Sequence, residues 1–216
     1  KRLITENFFP IILDNLSNTS TKTFKRLPGG SFAFIKSDIN NKEKIIRELK
    51  NFHPIIFVHL AAIHYIPYCI KNPKETKRVN INGTKKLLEI AHLKGAKNFI
   101  FSSSAAVYKP SDREHKENSK LSPVEIYGNT KLQAENIVKK YCLANNIKFT
   151  ILRLFNVYGP DNLTPHFIPS VLERIRKSSI VRVGNLGTKR DYIYVEDIVN
   201  ILLKIVKRGN MNDETY

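Results

Sequence analysis

Sulfur-bearing side chains and tryptophan are scarce in this chain, whose 216 residues include two cysteines, one methionine and no tryptophan. Cys69 and Cys142 are too few for a disulfide framework or a cysteine-built zinc site, so a reducing, cytoplasmic setting is expected and no metal is read. Nine glycines and ten prolines exclude collagen-like and low-complexity chains. No apolar run approaches the roughly 20 residues of a membrane-spanning helix. The longest, Ile55 to Ile70, is broken by His59, His64 and Pro67. The opening residues, Lys1-Arg2-Leu3-Ile4-Thr5-Glu6, lack the apolar region of a signal peptide. Acidic residues are also in the minority, 19 against 36 Lys and Arg, for a formal charge of +17. The basic residues lie mostly on the polar sides of amphipathic segments. No zinc finger, helix-turn-helix or RNA-binding aromatic signature accompanies them, so a solvated basic surface is favoured over nucleic acid as the main ligand. A composition of 42% hydrophobic and 25% charged residues is that of a globular protein, long enough for one large domain or a domain and a lobe.

Short β-branched runs alternate with longer helical patterns. Strands are expected at Phe9–Leu13, Phe32–Ile35, Ile55–Leu60, Asn98–Phe101 and Phe149–Leu154, and helices at Lys42–Leu49, Pro73–Lys94 and Tyr127–Asn145. This is the rhythm of a doubly wound parallel α/β sheet, in which ligands bind beyond the carboxyl ends of the strands. Beyond Leu154 the pattern loosens. Asn156 to Pro169 reads as loop, Phe167–Lys177 as a helix, Ile180–Val183 as a short strand and Val195–Lys207 as a strongly apolar helix.

Tyr127 and Lys131, four residues apart at a helix start, share one face. A fixed ammonium beside a phenol favours the phenolate and suits it to proton transfer, although such pairs also arise on solvated faces. Ser102-Ser103-Ser104-Ala105-Ala106-Val107-Tyr108 ends a buried strand upstream, where a hydroxyl can bond the oxygen that the phenol serves; a serine run can equally be a turn. Asp14, at the end of the first visible strand, can accept hydrogen bonds from both hydroxyls of an adenosine ribose and repel a 2′-phosphate. Asp38 and Ile39 can flank an adenine through one polar and one apolar contact, or Asp38 can cap a helix.

The serine run followed by Tyr127-Gly128-Asn129-Thr130-Lys131 resembles the extended short-chain dehydrogenase/reductase family, in its NAD-dependent nucleotide-sugar epimerase/dehydratase branch. The resemblance extends to His59-Leu60-Ala61-Ala62, to Val79-Asn80-Ile81-Asn82-Gly83-Thr84, to Arg153–Pro160 and to Arg190–Asp197. It implies a Rossmann-type domain with Tyr127 as acid/base, Lys131 as its electrostatic partner on the nicotinamide ribose, and Ser104 on the reacting oxygen. Asp14, Asn15, Asp38, Ile39, Leu60, Ala61, Ala62, Asn80 and Ser102 would serve NAD, and Asn156 and Arg190 the substrate diphosphate. Arg190 could instead form a surface ion pair with Asp191 or Glu196. His64 stands where related epimerases often carry lysine, with a structural role equally open.

Two departures from the family pattern qualify these implications. The acid pair that performs elimination in 4,6-dehydratases is replaced by Ala105 and Ala106, which disfavours dehydration. The glycine-rich turn expected about 20 residues before the ribose acid is missing, since the first glycine is Gly29. The expectation is therefore an internal piece of a longer enzyme, or a degraded gene product, with Lys1–Asn7 continuing a helix. Residues 1–155 would form the NAD domain without its first strand and glycine-rich loop. Residues 156–194 would form part of a substrate lobe, 195–207 a returning helix, and 208–216 the start of a further segment. The implied activity is UDP-sugar 4-epimerisation, or epimerisation of another nucleotide-sugar, by a homodimer when complete. A reductase or dehydrogenase of the same family and a polyanion-binding remnant are the alternatives.

Overall fold

A computed structural model describes residues 1–19, 27–162, 164–184, 187–209 and 213–216. In chain order the first half contains α1 (Arg2–Thr5), β1 (Ile11–Asp14), β2 (Ala33–Lys36), α2 (Lys42–Glu48), β3 (Ile56–His59), α3 (Ile66–Lys71) and α4 (Pro73–Lys77). A π-helical segment, Arg78–Gly83, then leads into α5 (Thr84–Leu93) and β4 (Asn98–Ser104). A 3₁₀ turn at Ala105–Val107 precedes α6 (Ile126–Ala144) and β5 (Lys148–Leu154). The remainder holds β6 (Asn156–Tyr158), α7 (Phe167–Lys177), β7 (Tyr192–Tyr194), α8 (Val195–Arg208) and β8 (Glu214–Thr215).

Every paired strand runs parallel to its neighbour, in the order β3-β4-β5-β8 for the larger sheet and β1-β2 for a separate pair. Helices cover both faces, which is why β4 and β5 carry near-continuous apolar runs. Phe99, Phe101, Phe149 and Ile151 turn toward Leu88, Ala91, Ala134 and Val138 of α5 and α6. The alternate residues Ile100 and Leu152 turn the other way, onto Val206, Leu202 and Ile205 of α8. This period-two division fixes the register, because a one-residue slip would exchange the two cores. Leu13 of β1 and Phe57 of β3 pack on the same apolar clusters, yet their strands are not paired with each other. The sheet is thus divided beside β1 and β3, whose apolar residues are half-buried or exposed where those of β4 are fully buried.

The structure corrects several boundaries. The helix expected over Pro73–Lys94 is three segments, with α3 before them, because a π-helical turn at Arg78–Gly83 shifts the backbone against the loop after β2. A Cβ on Gly83 would lie 2.2 Å from Cδ1 of Ile39, so a side chain here would displace the Ile39 side chain from this contact. The strand expected at Asn98–Phe101 continues through all three serines to Ser104, paired with β5 along its length. The loop expected from Asn156 begins instead with β6, paired to β7. Ile180–Val183 forms no strand: Ile180 is 76% exposed and no neighbouring strand supplies a ladder. The helix expected over Lys1–Asn7 is confined to α1, and Asn7 turns the chain with φ +62°.

Candidate active site

The end of β4 and the start of α6 meet at a close backbone approach. A Cβ on Gly128 would fall 2.2 Å from the Ala106 carbonyl oxygen and 2.9 Å from Cβ of Pro123. The absent side chain at this position lets the first turn of α6 press on the 3₁₀ turn. That contact sets the Tyr127 phenol near the Ser104 hydroxyl, whose Oγ accepts from the Ala106 amide at 3.2 Å. Tyr127 is half-buried, Lys131 is 3% exposed, and they lie one helical turn apart.

The electrostatics differ from the sequence expectation. Lys131 does not activate the phenol in this arrangement: its Nζ donates to the Ser102 carbonyl at 2.6 Å and sits 4.7 Å over the Phe101 ring. Burial pushes Tyr127 up to about 12, against a lowering contribution from the Ser104 hydroxyl. Burial also brings Lys131 down to about 8, with the negative charge of Glu135 opposing it. Shared helical facing therefore placed phenol and amine on one stripe, but the strand carbonyl, not the phenol, accepts the ammonium's hydrogen bond. A phenol raised this far stays protonated at neutral pH: it is a weaker acid than free tyrosine and is not available as a base.

The loop after β3 forms the adjacent wall. Asn80, 2% exposed on the π-helical segment, accepts from the Ile63 amide at 2.8 Å and donates to the Ile63 carbonyl at 2.9 Å. Its Nδ2 also donates to Thr130 Oγ1 at 3.0 Å, tying this loop to α6. Leu60 is 56% exposed and Ala61 is exposed, Ala62 is half-buried, and Asn80 fixes the loop one residue beyond. His64 Nε2 lies 3.5 Å from Thr164 Oγ1, and its ring is tilted against His166 with centroids 5.8 Å apart. The loop after β3 thereby touches the segment leading into α7.

At the other end, Asp14 closes β1 and accepts from the Leu16 amide at 2.6 Å, while exposed Asn15 accepts from the Ser17 amide at 3.0 Å. Asp38 accepts from Arg78 Nη2 at 2.8 Å and from the Asn40 amide at 2.8 Å. Together they hold its carboxyl below the usual carboxylate range, against partial burial. Asp38, Asn40, Asn41, Glu43 and Arg78 line an open cleft of about 380 Å³. Ile39 is 7% exposed and packs on Gly83. Farther away, Asn156 donates through Nδ2 to the Asp191 carbonyl at 3.0 Å, and exposed Arg190 donates to the Lys189 carbonyl at 3.1 Å. Among the described residues Arg190 joins no ion pair, neither with Asp191 nor with Glu196. The structure thus unites Ser104, Tyr127, Lys131, Ser102 and Asn80. It leaves Asn156 and Arg190 on the β6–β7 side.

Sequence reasoning passed over Glu135, Arg153 and Ser103. Glu135 is fully buried; its Oε1 accepts from Ser103 Oγ at 2.5 Å and from Arg153 Nε at 3.0 Å, and its Oε2 from Arg153 Nη2 at 2.8 Å. A glutamate four residues after Lys131, on the same helical stripe, was the signal available.

A parallel α/β sheet with a Ser–Tyr–Lys constellation at a strand's carboxyl end defines a nucleotide-dependent α/β protein of the short-chain dehydrogenase/reductase type. More particularly, the chain belongs to the NAD dependent epimerase/dehydratase family, which it matches over residues 2–216. It is 28% identical over 230 residues to the UDP-glucose 4-epimerase of Homo sapiens, an alignment covering 91% of this chain and 65% of that protein. The UDP-glucose 4-epimerase of Thermus thermophilus, solved in complex with NAD, superposes with a TM-score of 0.86 at 25% identity, covering 100% of this chain and 71% of that one. The Thermotoga maritima UDP-glucose 4-epimerase, solved with UDP-glucose, gives 0.87 at 26% identity, covering 100% and 70%. The chain spans just under two thirds of the human relative's length.

Proposed function

We propose that this chain carries the catalytic half of an NAD-dependent nucleotide-sugar 4-epimerase acting on a UDP-sugar. The observation that carries the reading is the close approach of the start of α6 to the end of β4, which gathers Ser104, Tyr127 and the buried Lys131 at one strand end, within a chain of this family. NAD, when bound, supplies a reversible hydride acceptor for the sugar C4. The residues present fit its two ends: Asp14 and Asp38 stand at the ends of β1 and β2 on the adenosine side, and Tyr127 and Lys131 serve the nicotinamide side. No glycine-rich turn stands between them among the described residues, where the left-handed glycines are Gly30, Gly95 and Gly209.

Tyr127 takes the proton of the sugar 4-hydroxyl and returns it to the same oxygen, and Ser104 holds that oxygen by a hydrogen bond. With a phenol near 12, Tyr127 starts protonated, and the accepting half of this cycle requires cationic charge beside it. Lys131, one helical turn from Tyr127, supplies that charge when its ammonium, keeping its proton, turns from the Ser102 carbonyl toward the phenol. Ala105 and Ala106 offer no proton donor beside Ser104, which favours epimerisation over elimination. Asn156 and Arg190 bind the substrate diphosphate from the β6–β7 side, leaving the sugar ring free to turn between its two faces. Residues 1–155 serve as the cofactor domain and 156–194 as the substrate lobe, in a cytoplasmic enzyme that pairs through α5 and α6.

The test is incubation of the 216-residue polypeptide with saturating NAD and UDP-glucose, without added reductant. UDP-galactose forms, and Tyr127→Phe lowers its rate by orders of magnitude while leaving cofactor binding nearly intact. Stoichiometric accumulation of reduced cofactor, read at its own absorbance band, would instead favour a net dehydrogenase.

A further inference from the structure

The stripe on α6 does not end at the amine. Tyr127, Lys131 and Glu135 follow one another at four-residue intervals and all face one strand end: Tyr127 lies near the Ser104 hydroxyl, Lys131 donates to the Ser102 carbonyl and Glu135 accepts from the Ser103 hydroxyl. Glu135 is anchored from behind by one edge of the Arg153 guanidinium, whose Nε and Nη2 donate to its two oxygens at 3.0 and 2.8 Å. Arg153 Nη1 donates in turn to the Glu117 carbonyl at 2.8 Å and to Tyr108 Oη at 3.3 Å. Both charged side chains are essentially removed from water, with side-chain exposures of 3% and 1%. A buried ion pair of this kind adds little net stability relative to apolar residues of the same volume, so its position calls for a reason other than holding the fold.

We propose that Glu135 is a positioning residue for the site: its carboxylate, oriented by Arg153, keeps Lys131 charged and aimed along β4. This rests on the reading above that Lys131 belongs to the reaction centre. The groups around the amine are His59 on β3, His64 in the following loop, the Phe101 ring, and Glu135 with Arg153 behind it. Among the described residues Glu135 is the carboxylate that acts on the amine. It opposes the burial that drives the ammonium toward neutrality, and its bond to Ser103 holds the strand end on which the amine and phenol both rest. Arg153 offsets enough of its charge for the carboxylate to remain ionised in an apolar setting.

The experiment is a pH titration of the intact chain carrying ¹³Cε-lysine, followed by NMR, with the Lys131 signal assigned by its loss in Lys131→Met. The unmodified chain titrates near 8 at this position. Glu135→Gln keeps the shape and removes the charge, and lowers the midpoint by about one unit or more. Glu135→Asp, which restores the charge on a shorter stem, recovers at least about half of that loss. Glu135→Gln strands a buried guanidinium and can fail to fold, whereas the double variant Glu135→Met with Arg153→Met leaves no charge unpaired. That double variant folds and lowers the midpoint by about half a unit or more. A Lys131 midpoint unchanged in the folded Glu135→Gln chain, or in the double variant, would overturn the proposal. This titration needs no substrate turnover, so failure of the epimerase assay and failure of the positioning role are separate results.

Discussion

His59 makes the stability of this chain depend on acid in a way that can be worked out in advance. Its imidazole is 2% exposed, wedged between the Phe99 and Phe101 rings at centroid distances of 6.1 and 5.5 Å. Thr84 Oγ1 already donates to the Asn80 carbonyl at 2.7 Å, so at 2.9 Å His59 Nε2 must be the donor to that hydroxyl. The native tautomer therefore carries its proton on Nε2 and leaves Nδ1 as a bare acceptor, without a partner among the described residues. A second proton would create a buried, unpaired donor, with the charge of Lys131 nearby. Burial first, and Lys131 second, hold the imidazole down to about 3, from an ordinary value of 6.5. Between those values the unfolded chain binds a proton that the native chain refuses, so stability is lost as pH falls through that window. From about pH 6.5 to about pH 4.5, roughly two units, the loss from this one group is about 2.7 kcal/mol. The assay is urea unfolding by circular dichroism at a series of pH values, comparing the natural chain with His59→Leu. That replacement leaves the Thr84 hydroxyl bonded to Asn80 and removes the titration. The two stability curves should diverge below about pH 6.5 by roughly the stated amount, with contributions from other groups cancelling in the difference. Parallel curves would refute the reasoning.

Three further outcomes follow from the site. Gly128→Ala forces a methyl against the Ala106 carbonyl and should cost about 1–3 kcal/mol of stability, readable as a lowered urea midpoint, together with a shifted Tyr127 absorbance titration as the phenol moves from Ser104. Asn80→Leu strips the Ile63 amide of its acceptor and should cost about 1–3 kcal/mol, with hydrogen exchange at Ile63 accelerating well beyond the change at β4. NAD should bind this polypeptide weakly, because no glycine-built cradle supplies backbone donors to its pyrophosphate among the described residues; a micromolar dissociation constant by calorimetry would contradict this.

Much of the fold was legible because its signals are local and repeated. The all-apolar runs at Ile56–Val58 and Phe99–Phe101, and the nearly apolar run at Phe149–Leu152, satisfy both faces inside a parallel sheet covered by helices, and the helices between them keep their apolar stripes. What the sequence could not report was pairing at a distance. β6 and β7 are three-residue strands that exist only because Asn156–Tyr158 meets Tyr192–Tyr194, and Ile180–Val183 has the composition of a strand without a neighbour. Gly83 and Gly128 looked like any other glycines until Ile39 and Ala106 were set against them.

The three serines show most clearly where reading along the chain stops. Ser102, Ser103 and Ser104 are identical as letters, and their place after a buried strand pointed to a site without telling them apart. Pleating and the strand end divide their work. Ser103 shares the face of Phe99 and Phe101 and meets Glu135; Ser102 contributes its backbone carbonyl to Lys131; Ser104, at the turn into the 3₁₀ segment, alone keeps its hydroxyl for Tyr127. Shifting β4 by one residue against β5 would send Phe99, Phe101 and Ser103 to the α8 face and exchange the two apolar cores, although another serine would then stand in the place of Ser103. The apolar register that divides Phe101 from Ile100 is therefore the same physical constraint that sets which of the three following serines takes which role.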